Sequence, residues 1–239
     1  MADLTYAIAD LHGSFDLLER ALSTIERHGA SARRRTVVFL GDYIDRGPQS
    51  RQIIERLTAG PPSGWKWICL RGNHEGIMLQ TLANELKLDW WLDNGGAQTL
   101  TSYGNPKGPY DPSVVPIEHQ NWIRARPLFY ADKHRIYVHA GVDPDLPLEE
   151  QTEDTLTWMR YPTRNVDIGW RDKHVVHGHD PFEDGPVILA HRTNLDTLAW
   201  FTGRLVAGVF NDDLPGGPID LIEVLRSDHK ACLRRSMGG

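Results

Sequence analysis

Cysteine is scarce in this sequence, whose 239 residues include only Cys69 and Cys232. No Cys-x-x-Cys pair occurs, so neither a disulfide framework nor a thiolate zinc site is expected. Cys69 lies in the strand-like run WKWICL, where a small buried hydrophobic role is favoured. This pattern suits a reducing compartment, and we expect a cytoplasmic protein.

The sequence also has fewer basic than acidic residues and no long hydrophobic run. The net charge is −6, which argues against a general nucleic-acid-binding protein. A small phosphorylated substrate is still compatible, because bound metal ions can supply local positive charge. No run of 18 apolar residues and no secretory pattern in MADLTYAIAD is present, so no membrane association is expected.

The length and the 40% hydrophobic content predict a single domain over residues 1–239. Strand-like runs at 4–9, 36–40 and 65–70 alternate with helix-like segments, an order that predicts a sheet with helices on its faces. From about 87 to 126 the sequence is rich in Gly, Pro and aromatics and lacks sustained periodicity. This predicts an irregular, cap-like insertion that serves as a lid or a binding surface. Further strand-like runs follow, RIYVHA, KHVVHG, PVILA, RLVAGVF and IDLIEVL.

Polar side chains follow five of these strand-like runs directly. The five clusters are Asp10-Leu11-His12-Gly13, the loop GDYIDRG at 41–47, Arg71-Gly72-Asn73-His74-Glu75, His139-Ala140-Gly141 and His177-Gly178-His179-Asp180. The carboxyl ends of strands in an open α/β sheet form one rim, where ligands bind. Five strands that deliver Asp, Asn or His to one rim predict a metal site.

The donor atoms favour hard or borderline divalent ions, because carboxylate, amide and imidazole groups suit manganese, iron or zinc. Asp10 and His12 point the same way from an extended segment and can chelate one ion. The two oxygens of Asp42 can bridge to a second ion, held by Asn73, His139 and one histidine of the pair His177 and His179. Two ions about 3.5–4 Å apart would clamp an in-line displacement at phosphorus.

The motifs resemble those of the calcineurin-like metallophosphoesterases, specifically the phosphoprotein phosphatase branch. That branch is recognised by D-x-H-G, G-D-x-x-D-R-G, G-N-H-E, a later H-A-G and a final G-H, all of which occur here between residues 10 and 179. The resemblance implies a β-sandwich of two mixed sheets flanked by helices, with a dimetal site at the carboxyl ends of the strands. It implies the metal ligands Asp10, His12, Asp42, Asn73, His139 and His179, with His177 as a neighbour.

The resemblance also assigns roles in catalysis. A hydroxide shared by two divalent ions, manganese first and iron or zinc as alternatives, would attack phosphorus. His74 would protonate the leaving oxygen, and Asp45 would orient its imidazole. Arg46, Asn73 and Arg160 would contact the phosphoryl oxygens.

These features favour a metal-dependent phosphomonoesterase of the Ser/Thr protein phosphatase type, acting on a phosphorylated protein or a small phosphoester. The alternative is a symmetrical diadenosine tetraphosphate hydrolase with the same centre. A non-catalytic scaffold is disfavoured, because His74, Asp45 and all six candidate ligands are present. One departure concerns the substrate pocket: Leu198, Trp200 and Phe201 put bulk where related bacterial sequences have a small, Gly-rich stretch.

Overall fold

The computed structural model describes residues 1–227, so Cys232 lies outside the described part. The strands, in chain order, are β1 (Leu4–Ile8), β2 (Arg35–Phe39), β3 (Lys66–Cys69), β4 (Phe129–Ala131), β5 (Arg135–Val138), β6 (His174–His177), β7 (Val187–Ile188), β8 (Arg192–Asn194), β9 (Arg204–Asn211) and β10 (Asp220–Leu225). The helices are α1 (Phe15–His28), α2 (Ser50–Thr58), α3 (Asn73–Leu82), α4 (Leu88–Trp91), α5 (Ala97–Ser102), α6 (Ile117–Arg124), α7 (Glu153–Trp158) and α8 (Ala199–Thr202).

Two five-stranded sheets are formed, in the orders β10-β9-β1-β2-β3 and β4-β5-β6-β8-β7. In the first sheet β1 pairs parallel with β2 and antiparallel with β9. In the second, β6 pairs parallel with both β5 and β8, while β4 and β7 run antiparallel to their neighbours. Both sheets are therefore mixed, which confirms the predicted sandwich of two mixed sheets flanked by helices.

Alternation along the strands divides the buried residues between two layers. Tyr6 and Ile8 of β1 face the outer core, which also contains the apolar positions of α1 and α2. Ala7 and Ala9 face inward and pack with Tyr137 and other residues of the second sheet. Since successive side chains of a strand point to opposite faces, one apolar run fills both layers.

The first three strands and α1 lie close to their predicted bounds, and α1 begins after Ser14 and ends before Gly29, as the sequence suggests. Two short strands, β4 and β8, were not predicted. The segment 87–126 is more regular than its composition suggests, since it contains α4, α5 and α6. These helices are too short to show a periodic pattern.

Cys69 is buried, as expected. Within residues 1–227, no helix combines the length and the apolar character needed to cross a bilayer.

Candidate dimetal centre

The residues predicted as metal ligands lie together at the carboxyl ends of strands from both sheets. Asp42, in the loop after β2, lies at the middle of the group. Its Oδ2 is 3.4 Å from Nε2 of His12, which follows β1, and its Oδ1 is 3.5 Å from Nε2 of His139, which follows β5. One carboxylate thus faces a histidine with each oxygen, the arrangement that a ligand bridging two ions requires.

On one side of Asp42, three side-chain atoms that can bind a cation through a lone pair lie close together. His139 Nδ1 bonds to the carbonyl oxygen of Leu40 at 3.0 Å, which leaves the lone pair of Nε2 facing the site. That Nε2 lies 2.9 Å from Asn73 Oδ1 and 3.2 Å from His179 Nδ1. The other ring nitrogen of His179 is buried without a hydrogen-bond partner. A cation among these atoms would satisfy lone pairs that otherwise repel one another, so the donor set fits a metal ion.

On the other side, His12 and Asp10 provide the second group. His12 Nδ1 bonds to the carbonyl oxygen of Ile44 at 2.8 Å, so Nε2 carries the lone pair, which accepts from Nη1 of Arg46 at 2.8 Å and could bind an ion in its place. Asp10 Oδ2 is 4.0 Å from that Nε2, and Asp10 Oδ1 accepts from the backbone N–H of His179 at 3.0 Å. Asp10 thereby connects the first sheet to the loop after β6.

Burial favours the neutral form of each of these groups. It lowers the pKa of His12 well below its usual range and that of His179 to about 2, so both imidazoles are neutral at pH 7. It raises the pKa of Asp42 well above its usual range, because a buried carboxylate is costly without a counter-charge. Neutral imidazole binds metal, and a bound cation would keep the carboxylate ionised.

Strained backbone concentrates at this site. Five of the predicted site residues have left-handed φ angles: His12 40°, Asp42 52°, Asp45 72°, Arg46 65° and His179 65°. For residues other than glycine this region is sparsely populated and costs roughly 1–3 kcal/mol each. Surrounding contacts must therefore hold these loops in place.

Glu75 provides much of that support in the loop after β2. Its carboxylate accepts backbone N–H bonds from Asp42 at 2.9 Å, Tyr43 at 2.8 Å and Gly72 at 2.9 Å. The side chain is completely buried at the start of α3. The last residue of the GNHE motif thus holds the backbone of Asp42 in place.

A histidine and an aspartate form a buried pair beside Asp42. His74 Nδ1 lies 2.7 Å from Asp45 Oδ2, and both side chains are almost fully buried. Burial opposes the charge on His74, but the carboxylates of Asp42 and Asp45 outweigh it and raise the pKa of His74. The arrangement can hold a proton on Nδ1 and present Nε2 to a substrate.

Two residues that position Asp45 were not predicted from the sequence. Trp91 Nε1 donates to Asp45 Oδ1 at 3.0 Å, and the hydroxyl of Thr99 donates to the same oxygen at 2.6 Å. Both come from the 87–126 segment and both are buried. The 87–126 segment therefore orients the Asp45 carboxylate, and Asp45 in turn orients the imidazole of His74.

The two predicted phosphate-binding arginines differ in their placement. Arg46 directs Nη1 to His12 Nε2 at 2.8 Å and Nη2 to His74 Nε2 at 3.0 Å, so its guanidinium lies within the site. Arg160 is 58% exposed and pairs with Asp180 at 3.0 Å. Arg160 thus lies at the rim of the site, where its partner, Asp180, is the residue that follows His179 in the chain.

His177 lies apart from the ligand cluster. Its Nδ1 contacts the Gly178 carbonyl oxygen at 2.9 Å, and its Nε2 contacts Nη1 of Arg192 at 3.0 Å. Burial, aided by Arg192, lowers its pKa to about 3. Of the two histidines that the sequence left open, His179 is the one next to Asp42 and His139.

Comparison with known proteins agrees with this geometry. The chain is 30% identical over 158 residues to a symmetrical bis(5'-nucleosyl)-tetraphosphatase of Paracidovorax citrulli, with 62% of this chain and 49% of that protein covered. It is 24% identical over 232 residues to the asymmetrical bis(5'-nucleosyl)-tetraphosphatase PrpE of Bacillus cereus, with 84% and 87% covered. The chain thus spans about half the length of the symmetrical relative and most of the asymmetrical one.

The fold is also similar to that of a known metallophosphoesterase. A metallophosphoesterase structure from Sphaerobacter thermophilus superposes with a TM-score of 0.59 at 17% identity, covering 99% of this chain and 95% of that one. The sequence profile of the calcineurin-like phosphoesterases matches residues 5–206, a range that includes all the predicted site residues. With the motifs, the two mixed sheets and the clustered ligands in agreement, this chain belongs to the calcineurin-like phosphoesterase family.

Proposed function

We propose that this protein is a metal-dependent hydrolase that cleaves a P–O bond of a phosphorylated substrate with water. The observation that supports this most directly is the position of Asp42. Its two oxygens face His12 and His139, and the pair formed by His74 and Asp45 lies directly beside it. The proposed metal ligands and the proposed proton donor would thus surround one small volume.

Asp10, His12 and Asp42 would hold one divalent ion, and Asp42, Asn73, His139 and His179 the other. When bound, the two ions would lower the pKa of water to near neutrality and offset negative charge at phosphorus. Manganese suits this oxygen- and nitrogen-rich set, as do iron and zinc. The absence of thiolate among these donors disfavours a softer ion.

The protein's own groups supply phosphate binding and proton transfer. Arg46 and His74 are neighbours, because Nη2 of the arginine lies 3.0 Å from Nε2 of the histidine. A phosphoryl oxygen bound by Arg46 would place the leaving oxygen close to His74, which then protonates it. Asn73 would contact the same phosphoryl group, and Arg160 would reach it only by leaving Asp180.

Two substrate classes fit this chemistry. The motifs favour a phosphorylated protein, as in Ser/Thr phosphatases, whereas both relatives described above are named for dinucleoside tetraphosphates. The same centre can cleave a phosphoester or a phosphoanhydride, since both have a phosphoryl group for Arg46 and a leaving oxygen for His74. The surroundings of the site must therefore select the substrate.

Metal-stripped protein reconstituted with manganese tests the proposal. A phosphothreonine peptide and diadenosine tetraphosphate would be compared side by side, with a chelated sample as control. We expect manganese-dependent turnover of at least one. If neither is hydrolysed by protein that retains two metal ions, the proposed hydrolase function is wrong.

The variant His74→Asn tests the role of the proton donor. We expect turnover to fall by about 10²–10⁴-fold, the usual contribution of general acid catalysis, with metal content unchanged. Metal content would be measured by elemental analysis of the same samples. Unchanged turnover would contradict the assignment of His74 as the acid.

A further inference from the structure

A cleft adjoins the metal site on the side of Asn73. It has a volume of about 390 Å³ and is lined by residues of α3, α4 and α7, among them Asn73, Ile77, Gln80, Trp90, Asp154 and Trp158. This volume lies in the usual range for small-molecule sites. One lining residue, Asn73, is also a predicted metal ligand, so the cleft borders the candidate centre.

Two tryptophans form the aromatic part of this cleft. Trp90 is 42% exposed and Trp158 is 40% exposed, although both are large apolar side chains. Trp158 also packs edge-on against the ring of His179, with 6.1 Å between the ring centroids. Exposed aromatic groups next to a catalytic centre are typical of ligand-binding surfaces.

The geometry of the pair limits how a ligand could bind. The centroids of the two indoles are 6.2 Å apart and the planes are inclined by 47°. A flat ring cannot be inserted between them without separating them, because two stacking distances would require about 7 Å. A planar ligand would instead stack on the exposed face of one indole and contact the edge of the other.

The charges at the cleft favour a neutral ring over a phosphate. Glu153 and Asp154 lie at its border and are exposed. Glu153 is paired with Arg71, but Asp154 forms no ion pair within residues 1–227. An anionic group would be repelled here, whereas a ring with an amino group could donate to Asp154 or to the amide oxygen of Gln80.

We propose that the cleft formed by Trp90 and Trp158 binds the nucleobase of a nucleoside polyphosphate whose phosphates lie at the metal centre. The inference rests on the proposed hydrolase function and selects its substrate class. The cleft includes Asn73 and Trp158, and Trp158 packs against His179, while Arg46 lies beside His12 and His74. A substrate with a phosphate chain and a base would thus span the centre, with its anionic part towards Arg46.

The test compares a substrate that has a base with one that lacks it. Diadenosine tetraphosphate and inorganic tripolyphosphate would be assayed with the wild-type protein and the variants Trp158→Ala, Trp90→Ala and Trp158→Phe. In the alanine variants we expect KM for the dinucleotide to rise about tenfold, as loss of one base-stacking contact predicts. The kcat/KM ratio of dinucleotide to tripolyphosphate should fall by a similar factor, and Trp158→Phe should restore most of it.

Ile188→Ala is the control, because Ile188 is an exposed apolar residue of β7 outside the cleft and should keep the wild-type preference. Phe201→Ala tests the alternative location, since Phe201 is an exposed aromatic residue on α8, also outside the cleft. If this variant loses the preference for the dinucleotide while the tryptophan variants keep it, the base binds on the α8 side and the inference is wrong. Equal losses with both substrates in the tryptophan variants would also overturn it, since they would indicate a structural role.

A binding measurement without turnover separates the inference from the hydrolase proposal. Calorimetry of metal-free protein with adenosine monophosphate should show about tenfold weaker binding in Trp158→Ala than in the wild type. Inorganic phosphate should bind both proteins equally. Hydrolysis of the dinucleotide together with unchanged adenosine monophosphate binding would refute the base-binding cleft alone, whereas base binding without any hydrolysis would refute the hydrolase function alone.

Discussion

Asp42 shows how a single residue connects backbone strain to metal chemistry. Its φ of 52° is unfavourable for a side chain with a Cβ atom, yet it directs one carboxylate between two histidines. Three backbone N–H bonds accepted by Glu75 stabilise that conformation from the buried side. Since both carboxylate oxygens accept these bonds, Glu75 has a structural role that Gln, with one oxygen and one NH2 group, could fill only in part.

Gly178 makes room for Asp10, and an alanine there tests how closely the ligands must fit. A Cβ atom on Gly178 would overlap with the Asp10 carboxylate oxygen and touch Ala9. In Gly178→Ala we therefore expect Asp10 to be displaced and at least one metal ion to be lost. Metal stoichiometry by elemental analysis, after dialysis against manganese, measures this directly.

Gly76→Ala is the control for that experiment, because the nearest atom to its added Cβ would be Glu153 Oε1 at 3.9 Å. Gly76 lies inside α3, where alanine is the better helix former by about 0.5–1 kcal/mol. This variant should bind manganese as the wild type does. Two ions per chain in Gly178→Ala would contradict the assignment of Asp10 as a ligand.

The residues that follow a strand were predictable, and those that support them were not. Asp10, Asp42 and His139 stand directly after apolar runs, and strand ends meet at a common rim, so their proximity could be inferred. Trp91 and Thr99 are 46 and 54 residues from Asp45. No local pattern indicates that contact, because it depends on how the 87–126 segment packs.

At the scale of elements, the 87–126 segment holds the loop after β2 in place. The backbone N–H of Arg46 donates to the carbonyl oxygen of Gly95 at 3.1 Å, and Gly95 has a left-handed φ of 102°. A Cβ atom on Gly95 would overlap with the backbone and side chain of Arg46. The turn between α4 and α5 therefore requires glycine for two reasons, its conformation and its closeness to Arg46.

Gly95→Ala should consequently weaken substrate binding as well as stability. We expect a higher KM for the phosphorylated substrate, because Arg46 must move. Strain at a left-handed position should add about 1–2 kcal/mol of destabilisation. Steady-state kinetics and urea unfolding of the same preparation would separate the two effects.

Gly104→Ala provides the comparison, since Gly104 has a similar φ of 96° but no atom within 4 Å of its added Cβ. This variant should lose a comparable amount of stability while keeping the KM of the wild type. If both variants show the same KM, the contact between Gly95 and Arg46 has no role in substrate binding.

Prediction of the strands was limited by how much hydrophobic signal each strand carries. β1, β2 and β3 are rich in apolar residues and were predicted close to their observed bounds. β8 consists of Arg192–Asn194, three polar residues that are nevertheless buried. Arg192 stacks on Tyr161 at 4.2 Å and contacts His177, so a polar sequence became a buried strand through long-range contacts. Such a strand has no hydrophobic signal to detect.

At the scale of the whole molecule, the candidate site exists only because two sheets meet. The first sheet supplies Asp10, His12 and Asp42, and the second supplies His139 and His179. Asp10 connects the two sheets, because its side chain accepts a hydrogen bond from the backbone N–H of His179. Separation of the sheets would therefore split the ligand set, and the stability of the sandwich and metal binding should depend on each other.

Acid should weaken this sandwich through His174, a buried residue of β6. Its Nε2 lies 2.8 Å from the Thr193 hydroxyl of β8, and burial lowers its pKa to about 4. In the unfolded chain its pKa is near 6.5, so below that value the unfolded state takes up a proton that the folded state does not bind. Stability should therefore fall as the pH drops from 6.5 towards 4, by up to about 3 kcal/mol from this group.

Urea unfolding of the wild type and of His174→Gln at pH 8 and pH 5, with a chelator present, tests this expectation. At pH 8 the histidine is neutral in both states, so the difference between the two proteins reports only the loss of its contacts. At pH 5 the wild type should have lost about 2 kcal/mol more than the variant, since only the wild type has this proton to take up on unfolding. An equal loss in both proteins would mean that other groups cause the acid sensitivity, and that neutral His174 does not limit the stability of the second sheet.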